Sequence, residues 1–166
     1  MHASKRTPGT GNYKAVLAIG LALLLAACSS TGGKRVSEPA ASIQQLTVDA
    51  RGNWQVQLRL QNYSSMAMRF DTIDLALEVN GQPAGHLKAT PALSIPGESG
   101  DLATISHVPD GAGRLVMADV LASGQGINYT LKGDVQVTPE GNKQRSYTID
   151  GKNQLNPVPG LPGVLR

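Results

Sequence analysis

The chain has 166 residues, 40% of them hydrophobic and 16% charged, with 19 Gly, 10 Pro, one Cys and a formal charge of +3. That length supports one modest domain, and a single Cys excludes both a disulfide scaffold and a Cys-based metal site. Few aromatics beside many Gly and Pro argue against a helical bundle and for β-structure, while the excess positive charge points to an anionic partner only if it lies in the folded part.

Lys5, Arg6 and Lys14 precede an uninterrupted small and apolar run, residues 15–27, that ends at Cys28. This is a positive n-region followed by an h-region. Thirteen residues at 1.5 Å rise span about 20 Å, short of the roughly 30 Å hydrocarbon core, so the run reads as an export signal and not as a spanning helix. Leu25-Ala26-Ala27-Cys28, followed by Ser29, resembles the lipobox of bacterial lipoproteins. The resemblance implies thioether linkage of Cys28 to diacylglycerol, removal of residues 1–27 and acylation of the freed amine by a palmitate-like chain. With Ser29 where aspartate would retain the protein, it also implies an outer-membrane anchor facing the periplasm. Each buried CH₂ of such chains contributes about 0.8 kcal/mol. The alternative is an ordinary secretory signal with a coincidental Cys. Loss of residues 1–27 takes three bases and no acid, leaving 12 of the 15 bases against 12 acids. The mature chain is neutral, and nucleic acid is not expected as a partner.

Residues 28–42 are rich in Gly, Ser, Ala and Pro and read as a flexible tether after the lipidated Cys. From Ile43 the period becomes two. Leu46 and Val48 open a strand, Arg51-Gly52-Asn53 turns, and Trp54, Val56, Leu58 and Leu60 alternate with Gln55, Gln57, Arg59 and Gln61. Ile73, Leu75, Leu77 and Val79 form another apolar face before the hairpin turn Asn80-Gly81, and Pro83 to Ala89 returns. A Pro/Gly/Ser loop at 91–100 leads to a strand at 101–108. Leu115, Ala118 and Leu121, at three-residue steps, predict a short helix within 113–123. Ile127, Tyr129, Leu131, Val135 and Val137 form a further strand with Gly133 at a bulge, and residues 145–149 close the set with Tyr147 and Ile149 inward. About seven short antiparallel strands with one apolar face each predict an all-β, two-sheet sandwich over 43–150. Residues 151–166, with Pro157, Pro159 and Pro162, predict an extended or disordered tail.

Three stretches carry a family resemblance: Val56-Gln-Leu-Arg-Leu-Gln-Asn62, Ile73-Asp-Leu-Ala-Leu-Glu-Val-Asn-Gly81 and Ile127-Asn-Tyr-Thr-Leu-Lys-Gly-Asp-Val135. Their order resembles the late embryogenesis abundant type 2 domain, also called the water stress and hypersensitive response domain, although Asn62 is followed here by Tyr63 where that family usually has Pro. The resemblance implies a fibronectin type III-like or immunoglobulin-like sandwich with one short helix and no shared active site. It also implies roles in stress protection and, in some relatives, contact with lipids.

Catalytic chemistry finds little purchase. His86 and His107 have no second His at ligand spacing and read as surface or strand-end residues, so no metal or cofactor is expected. Asp71 and Asp74 lie three apart, which in a regular strand places them on opposite faces; Asp74 and Glu78 share the polar one. No Gly-x-Ser-x-Gly elbow occurs, and Gly124-Gln-Gly126 precedes a strand where a phosphate loop requires a helix. Asn62-Tyr-Ser64 and Asn128-Tyr-Thr130 match a glycosylation pattern but read as turn and strand residues. Tyr63, Met66 and Met68 form the candidate contact region for a ligand or partner, an adaptable apolar surface; alternatively a methionine plugs one end of the sandwich. The expected function is non-enzymatic: a lipid-anchored envelope protein in stress protection or adaptor work, with an envelope protein or lipid as partner. The rival expectation is a binding module for a lipid or other apolar ligand.

Overall fold

The structure, a computed structural model, describes residues 33–166; the signal segment and Cys28 lie outside the described residues. Residues Lys34–Arg166 form one compact unit. Among the described residues there are nine strands and one helix: β1 (Ala40–Val48), β2 (Trp54–Asn62), β3 (Met68–Val79), β4 (Gln82–Ala89), β5 (Leu93–Ile95), β6 (Ser99–His107), α1 (Gly111–Ser123), β7 (Ile127–Pro139), β8 (Arg145–Leu155) and β9 (Val164–Leu165). One sheet has the order β6-β2-β1-β9 and the other β4-β3-β7-β8, with β5 also on β3. All pairings are antiparallel.

The alternation of apolar and polar residues explains the two sheets. Trp54, Val56, Leu58 and Leu60 of β2 face Phe70, Ile73, Leu75 and Leu77 of β3 and Leu131, Val135 and Val137 of β7 in one core. Each fully buried side chain of this size contributes about 1.5–3 kcal/mol. A hydrogen bond from the Ile43 amide to the Tyr129 hydroxyl, 2.9 Å, ties β1 to the opposite sheet. The β3–β4 hairpin turns at Asn80 and Gly81, both at positive φ, as the primed two-residue turn requires.

Several expectations are corrected. Strand count rises from about seven to nine because the Pro/Gly-rich segments contribute β5 and β9, of three and two residues. The tail is ordered: residues 151–155 complete β8, and Val164 and Leu165 pair with Thr47 and Leu46 of β1. Leu165 is fully buried and the turns at Gly160 and Gly163 take positive φ, so one apolar residue folds the tail back onto an open sheet edge. The tether is shorter than 28–42, since Val36 packs on the core and β1 begins at Ala40. Folded structure thus extends beyond 43–150 at both ends.

The expected helix is present and packs through the face that carries Gly113. Gly113, Met117 and Val120 are buried, whereas Leu115 is 72% exposed. Gly113 explains the choice: a Cβ there would lie 2.6 Å from the Ala84 Cβ, so only glycine lets the helix approach β4 this closely. Gly133 is not at a bulge, for the register through Leu75, Gly133 and Ile149 is continuous. Its φ of 151° and its fit against the Asp74 carbonyl are what demand glycine. The register shifts lie at Ile43/Gln45, Phe70/Thr72 and Ala76/Glu78.

Candidate functional site

The candidate contact region divides into one exposed and two buried residues. Met68 is fully buried in β3 and Met66 is 6% exposed, its sulfur 3.7 Å from the Asn142 amide nitrogen. Only Tyr63, 51% exposed, presents a surface. The methionines are therefore part of the packing at this end of the sandwich, which corrects the expectation that all three form a contact surface.

What organises this end is Asn62, a residue the sequence presents as an ordinary turn former. Its side chain is fully buried. Nδ2 donates to the carbonyls of Met66 (2.9 Å), Ile95 (3.0 Å) and Pro96 (3.0 Å), and Oδ1 accepts from the Ser64 amide at 2.9 Å. Ser64 is buried too, and its hydroxyl accepts from the Ser37 amide at 2.9 Å. The Arg35 amide donates to the Ser65 hydroxyl at 2.8 Å, its guanidinium donates to the Tyr63 carbonyl at 3.0 Å, and Glu98 lies 3.6 Å from the same guanidinium. Gly97 lies against the Ser65 backbone, where a Cβ would approach to 2.7 Å. The segment leading into β1 is thereby fastened to the loops after β2 and β5. The signal in the sequence was Asn followed two residues later by Ser, but two of its three acceptors, the Ile95 and Pro96 carbonyls, come from a segment over 30 residues away.

At the opposite end a cleft of about 400 Å³ is lined by residues that include Asp49, Arg51, Trp54, Ser106 and His107. His107 is the last residue of β6, a strand-end histidine as expected, and it is buried: Nε2 donates to the Ala84 carbonyl at 2.6 Å, and the ring lies 5.8 Å from Trp54 at a tilt of 57°. Gly85, at φ 95°, makes room for it. The Trp54 Nε1–H is buried without an acceptor, a cost of about 1–3 kcal/mol. Asp49 accepts from the amides of Arg51 (2.8 Å) and Asn53 (2.9 Å), and the Asn53 amide chiefly holds its carboxyl below the ordinary range. Asp49 therefore shapes the β1–β2 turn.

On the outer face of the second sheet, Asp74 meets His86 Nδ1 at 2.7 Å and Lys88 Nζ at 2.9 Å. These two hydrogen bonds hold its carboxyl below the usual value. The bulge at Phe70/Thr72 lets Phe70 and Ile73 both face inward, so Asp71 and Asp74 do not lie on opposite faces as strand parity predicts. They nonetheless serve different partners. Burial pushes the Asp71 carboxyl up, but the Thr138 hydroxyl at 2.6 Å, the Gln144 amide at 3.0 Å and Arg69 outweigh it, and the net shift is downward. His86 and His107 are separately engaged, and no group of three metal-ligating side chains occurs among the described residues. No helix among the described residues is long and apolar enough to cross a membrane.

The late embryogenesis abundant protein family LEA_2 matches residues 57–153. No curated protein matches the chain. Among solved structures, the chain is similar to AT1g01470 from Arabidopsis thaliana, with 14% identity, 74% of this chain and 80% of that chain covered, and a TM-score of 0.48. It is also similar to a protein from Archaeoglobus fulgidus, with 9% identity, 74% and 98% covered, and a TM-score of 0.44. With the family matching over β2 to β8, this chain belongs to the LEA_2 family of late embryogenesis abundant proteins.

Proposed function

We propose that this LEA_2 protein is a non-catalytic, lipid-anchored factor of the bacterial envelope, held at the outer membrane through Cys28 and acting by contact in stress protection or as an adaptor. The observation that carries the anchor is Leu25-Ala26-Ala27-Cys28 at the end of a thirteen-residue apolar run, with Cys28 the sole cysteine. The two sheets are read as an immunoglobulin- or fibronectin type III-like sandwich, a scaffold that presents surfaces. The titratable groups support a non-catalytic role, because Asp49, Asp71, Asp74 and His107 are each spent on partners that shape the fold.

The test is fractionation of cells expressing the wild type and Cys28→Ala. The wild type is expected in the membrane fraction and the variant in soluble periplasm; a variant that stays with the membrane overturns the anchor. A second reading, a binding module for an apolar ligand, is favoured by a groove of about 400 Å³ between the β4–β5 connection and β6 that includes Pro91, Leu93 and the half-exposed Leu102. Native mass spectrometry of the unacylated protein decides it: a bound lipid supports this reading, and a uniformly ligand-free mass removes it.

A further inference from the structure

We infer that the end of the sandwich carrying Arg35, Tyr63 and Lys143 is the face that this protein lays against a phospholipid headgroup surface. The inference rests on the lipid anchor proposed above. Its starting point is where the fold takes hold of the chain. Arg35 and Ser37 are hydrogen-bonded to Ser65 and Ser64, so the folded unit begins at Lys34. Only residues 29–33 separate it from Cys28, and the six Cα steps from Cys28 to Lys34 cover at most about 21 Å when fully extended.

The sandwich is longer than that reach. β7 has 13 residues, about 40 Å at roughly 3.3 Å per residue. Strand directions place the β2–β3, β5–β6 and β7–β8 loops at the end where Lys34 enters, and they are joined there by the Glu98–Ser64 and Glu140–Ala67 backbone bonds. The β1–β2 turn and the 156–163 loop lie at the other end, with Gly163 bonded to Val48. An acylated Cys28 holds the first end within reach of the headgroups, and with the sandwich standing on that end the second lies about 40 Å away.

The chemistry of the first end fits that position. Tyr63 is half exposed, and an aromatic ring with a polar tip favours the boundary between water and hydrocarbon. Lys34, Lys143 and Arg145 are exposed at the same end, able to meet headgroup phosphates, while the Arg35 guanidinium is held by the Tyr63 carbonyl and Glu98. The Asn62 network makes this end rigid, so the anchor would orient the whole domain and turn the Trp54–His107 cleft away from the membrane.

The test uses the acylated full chain in vesicles of phosphatidylethanolamine and phosphatidylglycerol. Single cysteines at Tyr63→Cys, Lys143→Cys, Arg51→Cys and Leu161→Cys carry a fluorophore, and a nitroxide on the lipid headgroup quenches it; the thioether at Cys28 leaves no competing thiol. Quenching at 63 and 143 is expected to exceed that at 51 and 161 several-fold. Equal quenching at all four sites, or stronger quenching at 51 and 161, in protein that floats with the vesicles overturns the docking face while leaving the anchor intact. Failure of the anchor reads out separately, as protein that does not float.

Discussion

Asn62 donates from its side chain to the carbonyl of Ile95, 33 residues further along the chain, at 3.0 Å. The bond joins the end of β2, in one sheet, to β5, which lies on the other. The same amide also serves Met66, Pro96 and Ser64, so one side chain satisfies polar backbone groups of two segments at this end.

Asn62→Ala removes all of these bonds and strips a donor from the Met66 and Ile95 carbonyls, while the Pro96 carbonyl keeps the Ser99 hydroxyl. Since each buried group left unsatisfied costs about 1–3 kcal/mol, the variant is expected to lose about 3–4 kcal/mol in urea denaturation. Tyr63→Ala, one residue on and half exposed, is expected to change stability by less than about 0.5 kcal/mol. Similar losses for the two variants would contradict the central place of the Asn62 amide.

Gly133→Ala should be more severe. The φ of 151° disfavours any side chain, and a Cβ there would overlap the carbonyl oxygen of Asp74 on β3. Relief requires prising apart β3 and β7, the central pair of the second sheet. Backbone strain of about 1–3 kcal/mol adds to lost pairing, and the variant is expected to be largely insoluble or unfolded by circular dichroism. A cooperative unfolding transition close to the wild type's would contradict the close approach.

These two residues mark how far the sequence could be read. The inward sides of β2, β3 and β7 were legible because Trp54 to Leu60, Ile73 to Val79 and Ile127 to Val137 repeat an apolar residue at every second position, a signal each strand carries alone. Asn62 and Gly133 depend on what lies across from them. A buried amide and a solvated turn amide have the same local sequence, and a glycine at a bulge resembles one pressed against a neighbouring strand. The buried face of the helix was not legible for a related reason: Leu115, Ala118 and Leu121 outscore Gly113, Met117 and Val120 in apolar character, yet Gly113 fits against Ala84. Cys28 and its surroundings were read from residue order alone and lie outside the described residues.

The helix assignment is checked by contrasting its faces. Met117→Ala empties a buried position between α1 and the sandwich and is expected to cost about 2–4 kcal/mol. Leu115→Gln, on the exposed side, should stay within about 0.5 kcal/mol of wild type. The predicted order is read directly from thermal unfolding midpoints, and its inversion would contradict the burial of Met117 against the sandwich.

Asp74 makes stability depend on pH in a stated direction. Its folded-state pKa is lowered by the hydrogen bonds from His86 and Lys88, so the native state binds the proton less readily than the unfolded chain. The resulting stabilisation is present above the unfolded carboxylate value of about 4 and is lost as pH falls through the lower folded value. Half exposure of this carboxylate screens the contribution to below about 1 kcal/mol. Asp74→Asn should therefore flatten part of the acid limb of the stability curve, and added salt should shrink the difference between variant and wild type. An unchanged acid limb would show that the cluster contributes nothing measurable.

Leu165 tests whether the C-terminal segment is part of the fold. It is fully buried opposite Leu46, and the Val48 amide donates to the Gly163 carbonyl at 2.8 Å just before it. The strand it belongs to is only two residues long, too short to hold itself by backbone pairing, so the burial of this one side chain has to supply the closure. Leu165→Ala is expected to cost about 2–4 kcal/mol and to release residues 156–166, seen as rapid amide exchange confined to that segment and to the β1 edge at Leu46 and Val48. Leu161→Ala, half exposed in the same loop, should leave exchange unchanged. Rapid exchange of 156–166 already in the wild type would mean that β9 does not close the sheet.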